Sequence, residues 1–161
     1  MINVGDAVPD ISVRIMREGK PAQVSMSEVI GEGRAVLFAL PGAFTPGCSN
    51  HHLPSFIENA AALSSAGVDV ILCLSVNDVF VMHAWGEAQG VGESIVMVAD
   101  PAADFTEAVG MAVDASAFGL GMRSKRYSMV IEGGIVTAFL PEEDGFAVLA
   151  STAPCVLDAL A

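Results

Sequence analysis

Two apolar stretches limit what this chain can fold into. Ala35 to Leu40 contains no polar residue, and Val68 to Val76 is broken only by Asp69 and Ser75. A half-exposed strand alternates, whereas a strand apolar throughout must be covered on both faces, as in a parallel sheet with helices on either side. Between the two stretches, Phe56, Ile57, Ala60, Ala61 and Leu63 share one side of a helix predicted over 46–66, kinked at Pro54 and stopped by Gly67. Asn77 or Asp78 caps a further helix running to Gln89 and ending at Gly90. The pattern is βαβα.

The flanks complete a mixed sheet. Ile11 to Ile15 alternates like a half-exposed strand, and a turn around Glu18-Gly19-Lys20-Pro21 leads to a helical turn over 25–29. Ile95 to Val98 reads as a short strand, Asp100-Pro101 as the start of a helix to Val109, and 110–125 as a glycine-bearing loop. Tyr127–Ile131 and Ile135–Leu140 bracket the hairpin signal Glu132-Gly133-Gly134, and a last helix runs from Ser151 or Thr152 to Leu160. This order predicts an α/β fold of thioredoxin-like topology, with a mixed central sheet flanked by helices. No repeat or linker interrupts it, so residues 1–161 read as a single domain.

Composition narrows the partners. A net charge of -12 argues against nucleic acid, whose phosphates need a basic face. No apolar run approaches the roughly 20 residues of a membrane span, so no membrane is expected as a partner. The first residues lack the basic start and apolar stretch of a signal peptide. The cysteines at 48, 73 and 155 form no CxxC pair, which suits a reducing compartment, expected to be the cytoplasm, and at least one free thiol.

Cys48 is the residue with chemistry in it. Thr45-Pro46 is a helix-start signal, a side-chain oxygen at N-cap followed by a proline whose missing N–H costs nothing there. Cys48 then falls in the first turn, where unpaired N–H groups and the helix dipole favour an anion and a thiol reacts as a thiolate. The plainer alternative is a small buried hydrophobe, the usual state of a free cysteine. Arg123, Lys125 and Arg126 place three of only seven basic side chains within four residues. Such a run is ordinarily a solvated turn.

The passage Pro41 to Pro54, PGAFTPGCSNHHLP, resembles the active-site signature of peroxiredoxins, and more narrowly of the type II, peroxiredoxin-five-like branch. Val76-Asn77-Asp78 with Phe80, Val81 and Trp85, then Ala99-Asp100-Pro101, then Lys125-Arg126-Tyr127-Ser128-Met129-Val130, extend the resemblance over nearly the whole chain. It implies a thioredoxin-fold peroxidase that reduces hydrogen peroxide and small alkyl hydroperoxides through a cysteine, with no metal, haem or flavin. Cys48 would be the nucleophile and pass through a sulfenic acid. Arg126 would hold the thiolate and polarise the peroxide, Thr45 would direct its hydroxyl at the sulfur and the substrate, and Pro41 would shield the site. A homodimer joined through loops near the site is implied as well, and Phe44, Phe118 and Leu120 could line an apolar rim or belong to the core.

The chain departs from the pattern at the resolving cysteine that some members of this branch carry. The corresponding position is Ala150, and Cys155 lies five residues further on, past Ala153-Pro154. Cys73, inside an apolar strand, reads as inert core. A one-cysteine peroxidase is therefore expected, recycled by an external thiol, glutathione with glutaredoxin first and thioredoxin second. The main rival is a non-enzymatic redox sensor in which Cys48 oxidation alters partner binding. A thioredoxin-type oxidoreductase lacks its CxxC, and a Cys–His hydrolase would need His51 or His52, which lie one turn onward and away from the substrate end of the helix. A metal site built from His51, His52 and His83 is not expected.

Overall fold

The structure, a computed structural model, describes residues 1–161. The chain begins with an antiparallel pair, β1 (Ser12–Arg17) and β2 (Lys20–Ser25), followed by a short helix α1 (Met26–Ile30). β3 (Arg34–Ala39) leads to a helical stretch that opens at Pro46 and continues as a π-turn over Cys48–His52, then α2 (Leu53–Glu58) and α3 (Ala60–Ser65). β4 (Val70–Ser75), α4 (Val79–Gln89), β5 (Val96–Ala99) and α5 (Asp104–Ala108) follow. The chain closes with β6 (Ala112–Asp114), β7 (Met122–Ser124), β8 (Tyr127–Glu132), β9 (Ile135–Pro141) and α6 (Ala153–Leu160).

Seven strands form one sheet in the order β2-β1-β5-β4-β3-β8-β9, and β6 and β7 pair as a separate ribbon. β3, β4 and β5 run parallel at its centre, while β1 and β8 flank them antiparallel. The two apolar runs are therefore neighbours, as their composition requires. Val36 and Phe38 face a core with Phe56, Trp85 and Val156, and Leu37 faces the opposite core with Phe105, Tyr127 and Met129. Phe38 and Phe56 stack with ring centroids 3.9 Å apart. Cys48 belongs to the first of these cores.

Several boundaries differ from the sequence expectation, each for a local reason. β2 was not expected, because Lys20-Pro21-Ala22-Gln23-Val24-Ser25 is an edge strand with only Val24 buried and so carries little apolar signal. The loop expected over 110–125 contains the β6/β7 ribbon, with a tight turn at Ser116–Phe118 between its strands. α5 begins at Asp104 rather than at Asp100-Pro101. Asp100 serves it from outside, its carboxylate accepting from the Phe105 N–H at 3.2 Å, the Thr106 N–H at 2.8 Å and the Thr106 hydroxyl at 2.7 Å. In the 46–66 helix the Leu53 N–H donates to the Cys48 carbonyl five residues back. This widened turn lies directly ahead of Pro54, whose ring would press on the Asn50 carbonyl in a regular α-turn.

The hairpin signal is met. Gly133 and Gly134 have φ of +57° and +80°, the pair of positive values that a two-residue turn of this kind requires. No helix is long and apolar enough to cross a membrane. Phe56→Ala removes a ring stacked in a closed core, and we expect it to lower the folding free energy by about 3–5 kcal/mol in a denaturant titration read by circular dichroism.

Candidate active site

Parallel strands β3 and β4 end on the same edge of the sheet, where α/β folds place their ligand sites. The segment after β3 carries Pro41 to Cys48, and the segment after β4 carries Asn77. The two are joined there: Asn77 Oδ1 accepts from the Ala43 N–H at 2.9 Å and from the Ser75 hydroxyl at 2.7 Å. This clamp holds Phe44 at φ +63°, a left-handed conformation that a bulky residue adopts at a cost of about 1 kcal/mol or more. The turn aims the following helix into the sheet edge.

Cys48 sits in the first turn of that helix, 1% exposed. The N–H groups of Gly47 and Cys48 have no backbone partner, as the start of a helix dictates. Across from the sulfur stands Arg126, 3% exposed. Antiparallel pairing of β8 with β3 matches Tyr127 to Ala39, so the residue before β8 arrives at the edge where β3 ends. Arg126 Nη2 donates to Cys48 Sγ at 3.4 Å, Nε to the Phe146 carbonyl at 3.0 Å, and Nη1 to His52 Nδ1 at 3.0 Å. No carboxylate forms an ion pair with it. Gly47 leaves room for this approach, since a Cβ there would lie 3.2 Å from Nη2.

His52 is fully buried and its two ring nitrogens are committed. Nε2 donates to the Ser151 carbonyl at 2.9 Å, which leaves Nδ1 as the acceptor for Arg126. Burial first, and the Arg126 charge second, lower its pKa from 6.5 to about 3, so the ring stays neutral. It faces the arginine, not the thiol, and so is placed neither as the base of a Cys–His pair nor as a metal ligand. His51 is exposed, and His83 lies 4.0 Å from Glu87 on α4.

The Thr45 side chain does not cap the helix as expected. Its hydroxyl donates to the Gly42 carbonyl at 2.7 Å and makes no hydrogen bond to Cys48 or to a helix N–H; its carbonyl, instead, accepts from the Ser49 N–H at 2.9 Å. The hydroxyl oxygen keeps a lone pair for another donor. Pro41 is buried at the end of β3, and its carbonyl accepts from Arg123 Nη1 at 3.1 Å. That guanidinium passes over Gly42, where a Cβ would lie 2.5 Å from Nη1. Of the basic run, then, Arg123 and Arg126 turn inward rather than lying in a solvated turn.

A family model described as Redoxin matches residues 3–150. The chain is 42% identical to Peroxiredoxin-2B of Arabidopsis thaliana across 99% of its own length and 98% of that protein. It is 43% identical to the chloroplastic Peroxiredoxin-2E-2 of Oryza sativa subsp. japonica, covering 99% of this chain and 72% of that one. The crystal structure of reduced Prx3 in complex with hydrogen peroxide from Vibrio vulnificus superposes with a TM-score of 0.95 at 42% identity, over 100% of both chains. The chain is a peroxiredoxin.

As a peroxiredoxin it is a thiol-dependent peroxidase of thioredoxin fold, and the resemblance drawn from its signature holds. Several groups around the peroxiredoxin site were not singled out for it by the sequence. Asn77 reads as a possible helix cap and as part of the resembling passage Val76-Asn77-Asp78, and Ser49 and Glu142 drew no reading of their own. In the fold Ser49 accepts from the indole N–H of the fully buried Trp85 at 3.0 Å, tying α4 to the turn that carries Cys48. Trp85 belongs to the core. Cys73 is fully buried, and burial pushes its thiol well above the ordinary range, with the nearby Cys48 adding to the shift.

The neutral His52 has a stability consequence. Below about pH 6.5 the unfolded ring takes a proton that the folded ring refuses down to about pH 3. Stability from this group is complete above the upper value and declines as pH falls, by up to about 1.4 kcal/mol per pH unit. Urea titrations across that window, on the native chain and on His52→Gln, are expected to show a shallower acid slope in the variant.

Proposed function

We propose that Cys48 is the peroxidatic cysteine of a one-cysteine peroxidase acting on hydrogen peroxide and small alkyl hydroperoxides. The observation that carries this reading is the buried Arg126 guanidinium, which has only neutral acceptors besides the sulfur at 3.4 Å. A buried cation without a counter-charge is costly, and the Cys48 thiolate supplies one. The unpaired N–H groups of Gly47 and Cys48 favour the same anion.

The reaction follows from these groups. The thiolate attacks one peroxide oxygen; the S–O bond forms as the O–O bond breaks, and the departing oxygen takes a proton to leave as water or an alcohol. Arg126 stabilises the negative charge as it passes from sulfur to the leaving oxygen. Thr45 presents its hydroxyl oxygen to the peroxide O–H, its own proton being held by Gly42. Pro41 closes the site against bulk water. No metal or organic cofactor is required, because the peroxide is itself the oxidant.

The sulfenic acid is then reduced by an external thiol, forming a mixed disulfide with loss of water, and a second thiol equivalent releases Cys48. Glutathione with glutaredoxin is our first choice of reductant and thioredoxin the second. An internal route is disfavoured because the Cys155 thiol donates to the Leu149 carbonyl at 3.3 Å and accepts from the Thr152 hydroxyl at 3.3 Å, held at the start of α6. The three thiols are free, which fits a reducing compartment such as the cytoplasm. Phe44 and Phe118, 57% and 72% exposed near the site mouth, suit a homodimer closed through these loops.

Intact-protein mass after one equivalent of hydrogen peroxide tests the reading: a gain of one oxygen is expected, absent in Cys48→Ser. Loss of two hydrogens without dimer formation would instead mean an internal disulfide. Arg126→Ala is expected to slow peroxide reduction by about 10²–10³, the usual loss for one donor aimed at developing charge. Thr45→Val, which keeps the shape and deletes the hydroxyl, is expected to slow it by about tenfold or more; a rate within twofold of the native chain would leave Thr45 a structural residue.

A further inference from the structure

Glu142 follows directly on β9 and is 5% exposed, yet it touches none of the groups that contact Cys48 through its side chain. Its Oε1 accepts four hydrogen bonds: from the N–H groups of Leu149 at 2.8 Å, Ala150 at 2.7 Å and Ser151 at 2.9 Å, and from the Ser151 hydroxyl at 2.8 Å. N–H groups of successive residues gathered onto one oxygen fix the peptide planes of that segment. The Ser151 carbonyl, fixed in this way, accepts from His52 Nε2 at 2.9 Å and from the Ser128 hydroxyl.

The main chain of Glu142 is tied to the arginine as well. Its N–H donates to the Arg126 carbonyl at 3.0 Å, and the Arg126 N–H donates to the Gly145 carbonyl at 2.8 Å. Nearby, Asp144 Oδ1 accepts from the N–H groups of Phe146 and Ala147, both at 2.8 Å, while the Phe146 carbonyl receives Arg126 Nε. Residues 142–151 thus turn N–H groups toward carboxylates and offer carbonyls to Arg126 and His52. That orientation suits donors that are cationic or polarised by a cation.

We propose that Glu142 is a positioning residue of this site: by gathering the 149–151 backbone it aims the Ser151 carbonyl at His52, and His52 with the 142–146 backbone holds Arg126 against Cys48. The proposal rests on the reading of Cys48 as the peroxidatic thiol. Its effect on that thiol has a diagnostic sign. Removing an anion from the neighbourhood acts through space to make a thiolate easier to form, whereas loosening Arg126 makes it harder. A purely structural loop residue would move neither.

The test is the pH dependence of Cys48 alkylation by iodoacetamide, read by peptide mass, on the full chain and on two variants whose folding is checked by circular dichroism. Glu142→Gln keeps shape and deletes charge; Glu142→Asp keeps charge and draws the oxygen back by one methylene. In both, the profile is expected to move to higher pH, and the second-order rate with hydrogen peroxide to fall between about tenfold and about a hundredfold, the scale of a misplaced catalytic group. A folded variant with the native profile, or one moved to lower pH, overturns the proposal, and either variant alone decides if the other fails to fold. Alkylation needs no peroxide, so a displaced profile in a chain that consumes no peroxide would uphold the positioning and sink the peroxidase reading instead.

Discussion

A guanidinium buried without a carboxylate governs the architecture of this site. Arg126 distributes its donors over a backbone carbonyl, a neutral imidazole and a thiol, drawn from two separate parts of the chain. Phe146 lies in the loop after β9, His52 on the helix after β3, and Cys48 at the head of that same helix. In a chain of net charge -12, it is informative that no carboxylate forms an ion pair with this cation. A carboxylate there would take the arginine for itself and leave the sulfur without its electrostatic support.

The rest of the fold is arranged so that this charge can be buried. The antiparallel entry of β8 beside β3 brings residue 126 within reach of residue 48 across 78 positions of sequence. Neutral His52 fills the space beside it without adding a second positive charge, and its ring is held edge-on to Phe38 with centroids 5.1 Å apart. Gly47 admits the guanidinium where any side chain would crowd it. Asn77 and Trp85 fix the turn from the other side, through Ala43 and Ser49. Packing thus gives a thiol that could have been ordinary core a defined cationic neighbour.

Much of this was legible beforehand because it depends on short-range rules. Ala35–Leu40 had to be a central strand, since nothing but burial on both faces suits it, and Gly133-Gly134 had to be a tight turn. Cys48 had to lie in a helix's first turn, because Pro46 can open a helix but not continue one. The peroxiredoxin signature at Pro41–Pro54 and the later Arg126 pointed to residues that the fold brings together, Arg126 Nη2 lying 3.4 Å from Cys48 Sγ. Less legible were β2, an edge strand with little apolar content, and the ribbon inside 110–125, whose strands of three residues carry no usable period.

By itself, then, the sequence determined the central strands and their helices, the parallel centre of the sheet and the place of Cys48 in a helix's first turn, because periodicity, capping and turn chemistry act over a few residues. Only the tertiary structure decided where the hydrogen bonds go. The Thr45 hydroxyl looked like a helix cap and donates to Gly42 instead; His52, weighed as a catalytic base or metal ligand and set aside, bridges Arg126 to Ser151; Glu142, which carried no signal, gathers three consecutive backbone N–H groups. These partners lie far apart in the chain or in irregular loops, where no local rule specifies direction. Their choice is made by the cost of leaving a buried polar group without a partner, and that cost can be avoided only once the whole fold is assembled.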